Sequence, residues 1–310
     1  MTQTRTKNSL SRAQQRMAVL FILPALAIYA MFVLYPLAMS LWGSFFVWKG
    51  LRMLEFAGLS NFGRLFVFPS SERLAGALWH NAAWFFGIML FQNCLGLLFA
   101  YLLFLRDKGA AFIQSVFFFP AVLSPVIVGA LWRLLLAPGG IIEWTLNALG
   151  LHEGSLTVLG NSATALWVLI SVDAWNWMGL PVLIFTAGLR QIPTPIFEAA
   201  RIDGAGSARM LFSVALPLLV PAISTLTTLS FINTFNQFDI VYVMQGVQGN
   251  PNYATDTLVT YFYRLAFGAE GAVGITDIGL ALALGTLLFL LLSVGTLMML
   301  RFFDRRTVQP

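Results

Sequence analysis

Six apolar runs, near residues 17–42, 81–105, 112–136, 164–188, 210–235 and 278–300, constrain this chain more than any other feature. A run of about twenty apolar residues is long enough to cross the hydrocarbon core of a membrane as a helix. Inside lipid, only a helix or a closed barrel satisfies its own backbone. Charged residues make up 10% of the 310 and hydrophobic ones 58%. A soluble domain carries about 25% charged residues, so a soluble globular chain is excluded. The expected fold is an all-α integral membrane protein with six transmembrane helices. Pro24 and Pro36, Pro120 and Pro125, Pro181 and Pro221 fall inside four of these runs. Each can bend a membrane helix, because neighbouring helices take up the freed carbonyls. The first run follows Arg12 and Arg16 as a signal peptide would. It is too long for a signal core and no small-residue cleavage site follows, so it reads as a retained anchor.

An even number of crossings puts both termini on one side. The terminal side, which includes Arg5, Lys7, Arg106, Lys108, Arg190, Arg201, Arg301 and Arg306, carries twelve basic residues against four acidic ones. The opposite side carries six basic against eight acidic. The positive-inside bias therefore makes the termini cytoplasmic. It also accounts for the net charge of +5 without a nucleic-acid partner. The expected organisation is a cytoplasmic tail at 1–16, a six-helix transmembrane domain at 17–300 and a cytoplasmic tail at 301–310. Of the three longer outer stretches, 137–163 is expected to hold an interfacial helix from Ile141 to Leu149, with Trp144 at headgroup level. An amphipathic helix is expected from Thr257 to Phe267.

Several chemistries have no motif. There is no GxxxxGK[ST] phosphate loop and no serine nucleophile elbow. His80 and His152 lack a second ligand at zinc spacing, and the single Cys94 permits no internal disulfide. No enzyme active site, metal or resident cofactor is expected in this chain.

Two polar passages carry the positive signal. The first is the stretch from Leu189 to Pro217, with an elbow at about 190–210. Thr194 is expected to cap a short helix with Pro195 at its first position. That helix runs from Ile196 to Asp203, Gly204 takes the left-handed conformation that ends it, and Ser207 caps the next. Ala199 and Ala200 would let another surface approach closely, and Glu198 and Arg201 offer it charge. The second is the set of polar residues inside the spans. Asp173 is the one carboxylate placed within a run, where such groups face a cavity or a partner. Asp173 and Trp177 are spaced to share a helix face, with Asn176 alongside. Asn233, Thr234, Asn236 and Gln237 follow near the end of the fifth run, with Asn233 and Gln237 on one face. An aromatic ring beside carboxylate and amide groups is how proteins commonly grip sugars. The competing reading is that the amides bridge helices and that a neighbour satisfies Asp173.

The spacing Glu198-Ala199-Ala200, three residues, Gly204, nine residues, Val214-Ala215-Leu216-Pro217 resembles the EAA signature of permease subunits in binding-protein-dependent ABC importers. Val214 stands where the family usually has isoleucine. Ile202-Asp203-Gly204-Ala205, Gln191-Ile192-Pro193 and the passage Phe56 to Phe62 are similar to the carbohydrate branch, of maltose and glycerol-phosphate type. The glycine-rich TGGGP of that branch is replaced by Gln245 to Pro251. The resemblance covers about Phe21 to Arg301. It implies the type I importer permease fold with a cytoplasmic coupling helix. Glu198, Ala199, Ala200, Arg201, Asp203 and Gly204 would then contact a separate ATPase subunit that holds ATP and magnesium. It also implies a mid-membrane sugar site at Asp173, Asn233, Thr234 and Gln237, matched on Trp175 and on Phe235 to Phe238, in the bacterial inner membrane. The partners it implies are a second permease, two ATPase subunits and a periplasmic or lipid-anchored solute-binding protein. A polyol or glycerol-phosphate-type solute is the alternative cargo. A secondary transporter is the alternative mechanism, disfavoured by a single intramembrane carboxylate and no visible inverted repeat.

Overall fold

The computed structural model describes residues 12–106, 108–151, 153–268 and 276–305. The terminal segments 1–11 and 306–310, with Arg5, Lys7 and Arg306, lie outside the described residues, as do Asp107, His152 and Glu270. Three continuous helices, Leu20–Gly43, Ser70–Phe104 and Ile278–Asp304, are long and apolar enough to cross a membrane. Three bent pairs qualify together: Ala110–Val122 with Pro125–Leu135, Ala165–Asn176 with Gly179–Gln191, and Ser207–Leu218 with Val220–Phe235. Taken as one span each, these make the six expected crossings. The first helix begins at Arg12, within the stretch read as a tail.

The bends are 91° in the third span, 49° in the fourth and 74° in the fifth. Each break is followed within about a turn by proline. Pro125 opens a helix behind Ser124, whose hydroxyl accepts from Val126 N at 3.3 Å. Pro181 and Pro221 sit in the first turn after the breaks at Trp177 and Leu219, where a missing N–H costs no helical bond. The first span runs through Pro24 and Pro36 undivided. It widens instead into a π-helical turn at Ala30–Leu34. Two further π-helical turns, Ile88–Cys94 and Met210–Ala215, lie in the second and fifth spans.

Glycines set how closely the spans approach. A Cβ on Gly87 would meet Ile170 at 2.6 Å, and one on Gly96 would meet Pro181 at 2.7 Å. The second span therefore lies directly against the fourth, as small residues permit in membranes. Its apolar contacts continue through Trp84, Ile88, Leu169 and Ile170, all buried.

Outside the spans, the expected interfacial helix forms at Ile141–Ala148 and the amphipathic one at Leu258–Phe267, capped by Thr257. Sequence reading missed a β-hairpin. Strands Phe46–Lys49 and Arg52–Phe56 pair antiparallel around Gly50, whose φ is +57°. Asn61 anchors it, donating to the carbonyls of Ser44 and Phe46 at 2.9 and 2.8 Å.

Candidate functional site

A cavity of about 250 Å³ opens where the second, fourth and fifth spans meet. Asp173 and Trp177 line it from the fourth span, Asn233, Thr234, Asn236 and Gln237 from the end of the fifth, and Gln92 from the second. Asp239 completes the polar wall from the short helix Asp239–Gln245. Five of the six residues expected to contact solute thus share one cavity. Asn176 does not line it: it is fully buried, and neither amide atom has a hydrogen-bond partner among the described residues. The helix expected to carry Asp173 and Trp177 on one face ends at Asn176. Trp177 reaches the same cavity from the bend, its N–H bonded to Asp173 O at 3.0 Å.

The cavity wall at Thr234 and Gln237 is held through backbone carbonyls, which leaves their side chains unspent by these bonds. Asn81, fully buried, donates to Thr234 O at 2.8 Å and accepts from Leu258 N at 2.9 Å. Thr257 Oγ1 donates to Gln237 O at 2.9 Å. The backbone at the end of the fifth span is therefore pinned from outside. The amide of Gln237 can turn inward to Asp173, with which it interacts. Asp173 also accepts from Trp84 Nε1 at 2.8 Å. Asp173 is thus both satisfied by a neighbour and open to the cavity.

Gln92 and Asp239 were missed from sequence. Gln92 lies in the π-helical turn Ile88–Cys94. A π-turn re-aims side chains relative to regular helix, and such turns recur at functional sites. Asp239 follows the amide cluster by two residues and read as loop.

Eighteen residues, on a span bent by 49° at Trp177, separate Asp173 from the elbow end at Gln191, about 25 Å along the helices. The elbow helix is Thr194–Ile202. Its cap position is Pro193, with no side-chain capping bond; Thr194 is already helical, which corrects the expected start. Likewise Gly206, not Ser207, precedes the next helix. Proline at position two leaves no N–H there to cap, so a hydroxyl cap has one donor fewer to serve. The other end forms as expected. Gly204 has φ +79°, with Ala205 N bonded to Ala200 O at 2.9 Å and Gly204 N to Arg201 O at 3.0 Å. This is a Schellman closure.

One face of the elbow helix is rooted in the protein. Phe197 is buried, its ring 5.2 Å from that of Phe104, among Leu189, Ile192, Met210 and Leu211. Tyr101 adds a hydrogen bond from its hydroxyl to Ser207 O at 2.9 Å. The opposite face is open: Glu198, Ala199, Arg201, Asp203 and Gly204 are exposed and Ala200 half-buried. Ile202 is 86% exposed, an apolar side chain at a polar turn.

Comparison with known proteins places this architecture. Residues 92–309 match the family described as the binding-protein-dependent transport system inner membrane component. Among curated relatives, the sn-glycerol-3-phosphate transport system permease UgpA of Yersinia enterocolitica is 31% identical over 297 residues, covering 93% of this chain and 94% of its own. The multiple sugar-binding transport system permease MsmF of Streptococcus mutans is 28% identical, covering 91% and 93%. The crystal structure of a bacterial ABC transporter that imports the acidic polysaccharide alginate contains a chain with the same fold, at TM-score 0.79 and 24% identity, covering 96% of this chain and 98% of that one.

Proposed function

The chain belongs to the family of inner-membrane components of binding-protein-dependent transport systems, and on that premise we propose that it is one permease subunit of an ATP-driven importer for a sugar or sugar-like solute. The observation that carries this reading is the elbow. It is a short helix rooted on one face by Phe197 and Tyr101 and exposed on the other through Glu198, Ala199, Arg201 and Ile202. A surface so rigidly tied to the spans is suited to receive a push and pass it on.

In this reading a separate ATPase subunit grips the exposed face. Ala199 and Ala200 allow close approach, Glu198, Arg201 and Asp203 supply charged contacts, and Ile202 fills an apolar pocket. Closure of two ATPase subunits on ATP moves the elbow, and the rooted face moves the second, fourth and fifth spans with it. The cavity between those spans then opens to alternate sides. Solute delivered by a binding protein on the outer face enters the cavity. There Trp177 packs on its C–H surface while Asp173, Asn233, Thr234 and Gln237 bond its hydroxyls. A second permease forms the other wall. Together with lipid it covers the apolar first span, where Leu20, Phe21 and Phe32 stand 73%, 82% and 69% exposed. The basic excess on the elbow side makes that side cytoplasmic. The chain itself carries out translocation, with no covalent chemistry.

Affinity purification from membranes through a tag on this chain tests the assembly. A second six-span permease and an ATPase with a phosphate loop should co-purify, and a cysteine at Ala199 should cross-link to the ATPase alone. Recovery of the chain without an ATPase would remove the reading.

A further inference from the structure

The carbohydrate reading leaves charged and uncharged solutes open, and the cavity wall separates them. Asp173 and Asp239 both face the cavity, and among the described residues no lysine or arginine lines it. Arg133 lines a separate cavity with Tyr242 and Gln245, where it donates to Val243 O at 3.1 Å. Gln92 is 6% exposed and lines the same cavity. No hydrogen bond to its side-chain amide forms among the described residues. Its amide is not sealed in the protein but opens on the cavity, so its hydrogen bonds go to whatever fills that space, water or solute. It offers both a donor and an acceptor, as hydroxyl groups require.

Resting on the importer reading, we propose that this cavity accepts uncharged polyhydroxylated solutes and turns anionic ones away. Asp239 and Gln92 act as specificity-determining residues beside Asp173. A phosphate or uronate entering here would face two carboxylates on this wall and no cation of this chain to neutralise it, in surroundings where charges interact more strongly than in water. A neutral sugar meets only complementary groups: its hydroxyls donate to Asp173 and Asp239 and pair with Gln92. The wall therefore sets this chain apart from relatives whose cargo is acidic, although the fold is shared.

The charge of the wall can be read without knowing the solute. The assembled complex would carry Cys94→Ser and Asn233→Cys. The reporter thiol would then be reacted with trimethylammonioethyl, hydroxyethyl and sulfonatoethyl methanethiosulfonates, each rate normalised to that with a free thiol. The normalised cationic rate should exceed the anionic rate about tenfold or more, with the neutral reagent between. Adding Asp173→Asn and Asp239→Asn should bring the ratio near one. Asp239→Asn alone, at an exposed position, should lower it part of the way even if the double variant fails to assemble. A reporter that reacts with the anionic reagent as fast as with the cationic one overturns the proposal. So does a ratio indifferent to both aspartates. A second arm compares ATP-driven uptake of radiolabelled maltose, sn-glycerol 3-phosphate and a glucuronide. Import of either anion overturns the proposal. Import of none of the three, with the rate ratio intact, counts against the sugar reading and leaves the charge selection standing.

Discussion

The indole of Trp84 in the second span donates to Asp173 in the fourth at 2.8 Å, and Trp84 is fully buried. One carboxylate oxygen is thereby committed to the scaffold while the side chain still faces the cavity. Removing Asp173 does two things at once. It takes a charge-assisted acceptor from the solute, worth about 1.5–3 kcal/mol or roughly ten- to a hundred-fold in affinity. It also leaves a buried N–H unpaired, at about 1–3 kcal/mol of stability. Asp173→Ala should therefore weaken uptake per assembled complex and lower the melting temperature together. Trp84→Phe removes the donor and part of a fully buried ring while leaving the carboxylate to the cavity, so it should lower stability with little loss of apparent affinity. Asp173→Asn should be mild in both. Thermal unfolding and uptake normalised to assembled complex separate the contributions. An Asp173→Ala complex with unchanged apparent affinity would take this residue out of the solute path.

Gly204 closes the elbow helix at φ +79°, and a Cβ there would meet nothing within 4 Å. The cost of a side chain is thus backbone strain, about 1–2 kcal/mol, and not a clash inside this chain. Gly204→Ala should leave the subunit in the membrane with modestly reduced transport. Gly204→Asp and Glu198→Lys, which alter the exposed face as well, should uncouple solute binding from ATP hydrolysis. Solute-stimulated ATPase activity of the purified complex is the readout, and wild-type stimulation in both would contradict the role given to this face.

Phe197 roots the elbow helix among Phe104, Leu189, Met210 and Leu211. Phe197→Ala should cost about 3–5 kcal/mol of local packing. Because that packing is what carries elbow motion to the spans, ATP hydrolysis should persist while uptake per ATP falls. Tyr101→Phe, which loses only the bond to Ser207 O, should shift the same ratio less. Uptake and hydrolysis that fall in proportion would point to simple loss of folded protein.

Away from the elbow, Asp256 and Arg264 form a buried ion pair, with Arg264 Nη1 at 2.7 Å from Asp256 Oδ1. Thr260 also donates to Asp256, at 2.6 Å, and His80 Nδ1 bonds the Asp256 carbonyl at 2.8 Å. Next in sequence, Thr257 holds the Gln237 backbone. Asp256→Ala leaves a buried guanidinium unpaired and should destabilise by about 3–5 kcal/mol. Asp256→Ala with Arg264→Met should recover much of that loss. Denaturation of the wild type and of the single and double variants in detergent decides it, and a double variant no more stable than the single one would contradict a cost from the lone guanidinium.

How much of this was legible in the sequence varied with the kind of signal. The six spans were, because apolar length is a direct physical requirement of lipid. The elbow was too, since Gly204 and its spacing from Glu198 encode a turn. The breaks at Trp177 and Leu219 were signalled by Pro181 and Pro221, but not their angles, which depend on what packs alongside. The π-helical turns have no residue signature, so Gln92 passed as one amide in an apolar run. The hairpin at Phe46–Phe56 was missed because its strands are short and carry no clean alternation. Only Gly50 marked its turn. Asn176 shows the limit of proximity in sequence: three residues from Asp173, it is buried away from the cavity.

Orientation rests on the basic excess at the elbow side. In a Cys94→Ser background, a cysteine at Lys108, which is exposed near the elbow end, should resist an impermeant maleimide in intact cells and react after lysis. A cysteine at Ser155 should react in both. The opposite pattern would invert the topology.

Import itself is tested most directly in proteoliposomes that contain this chain with its co-purifying permease and ATPase. Binding protein and radiolabelled neutral sugar would be placed on the face away from the elbow, and ATP with magnesium on the elbow face. Sugar should accumulate on the elbow face against its gradient, only with ATP and binding protein both present, and Gly204→Asp should abolish it. Accumulation that runs on a proton or sodium gradient and ignores ATP would contradict an ATP-driven permease.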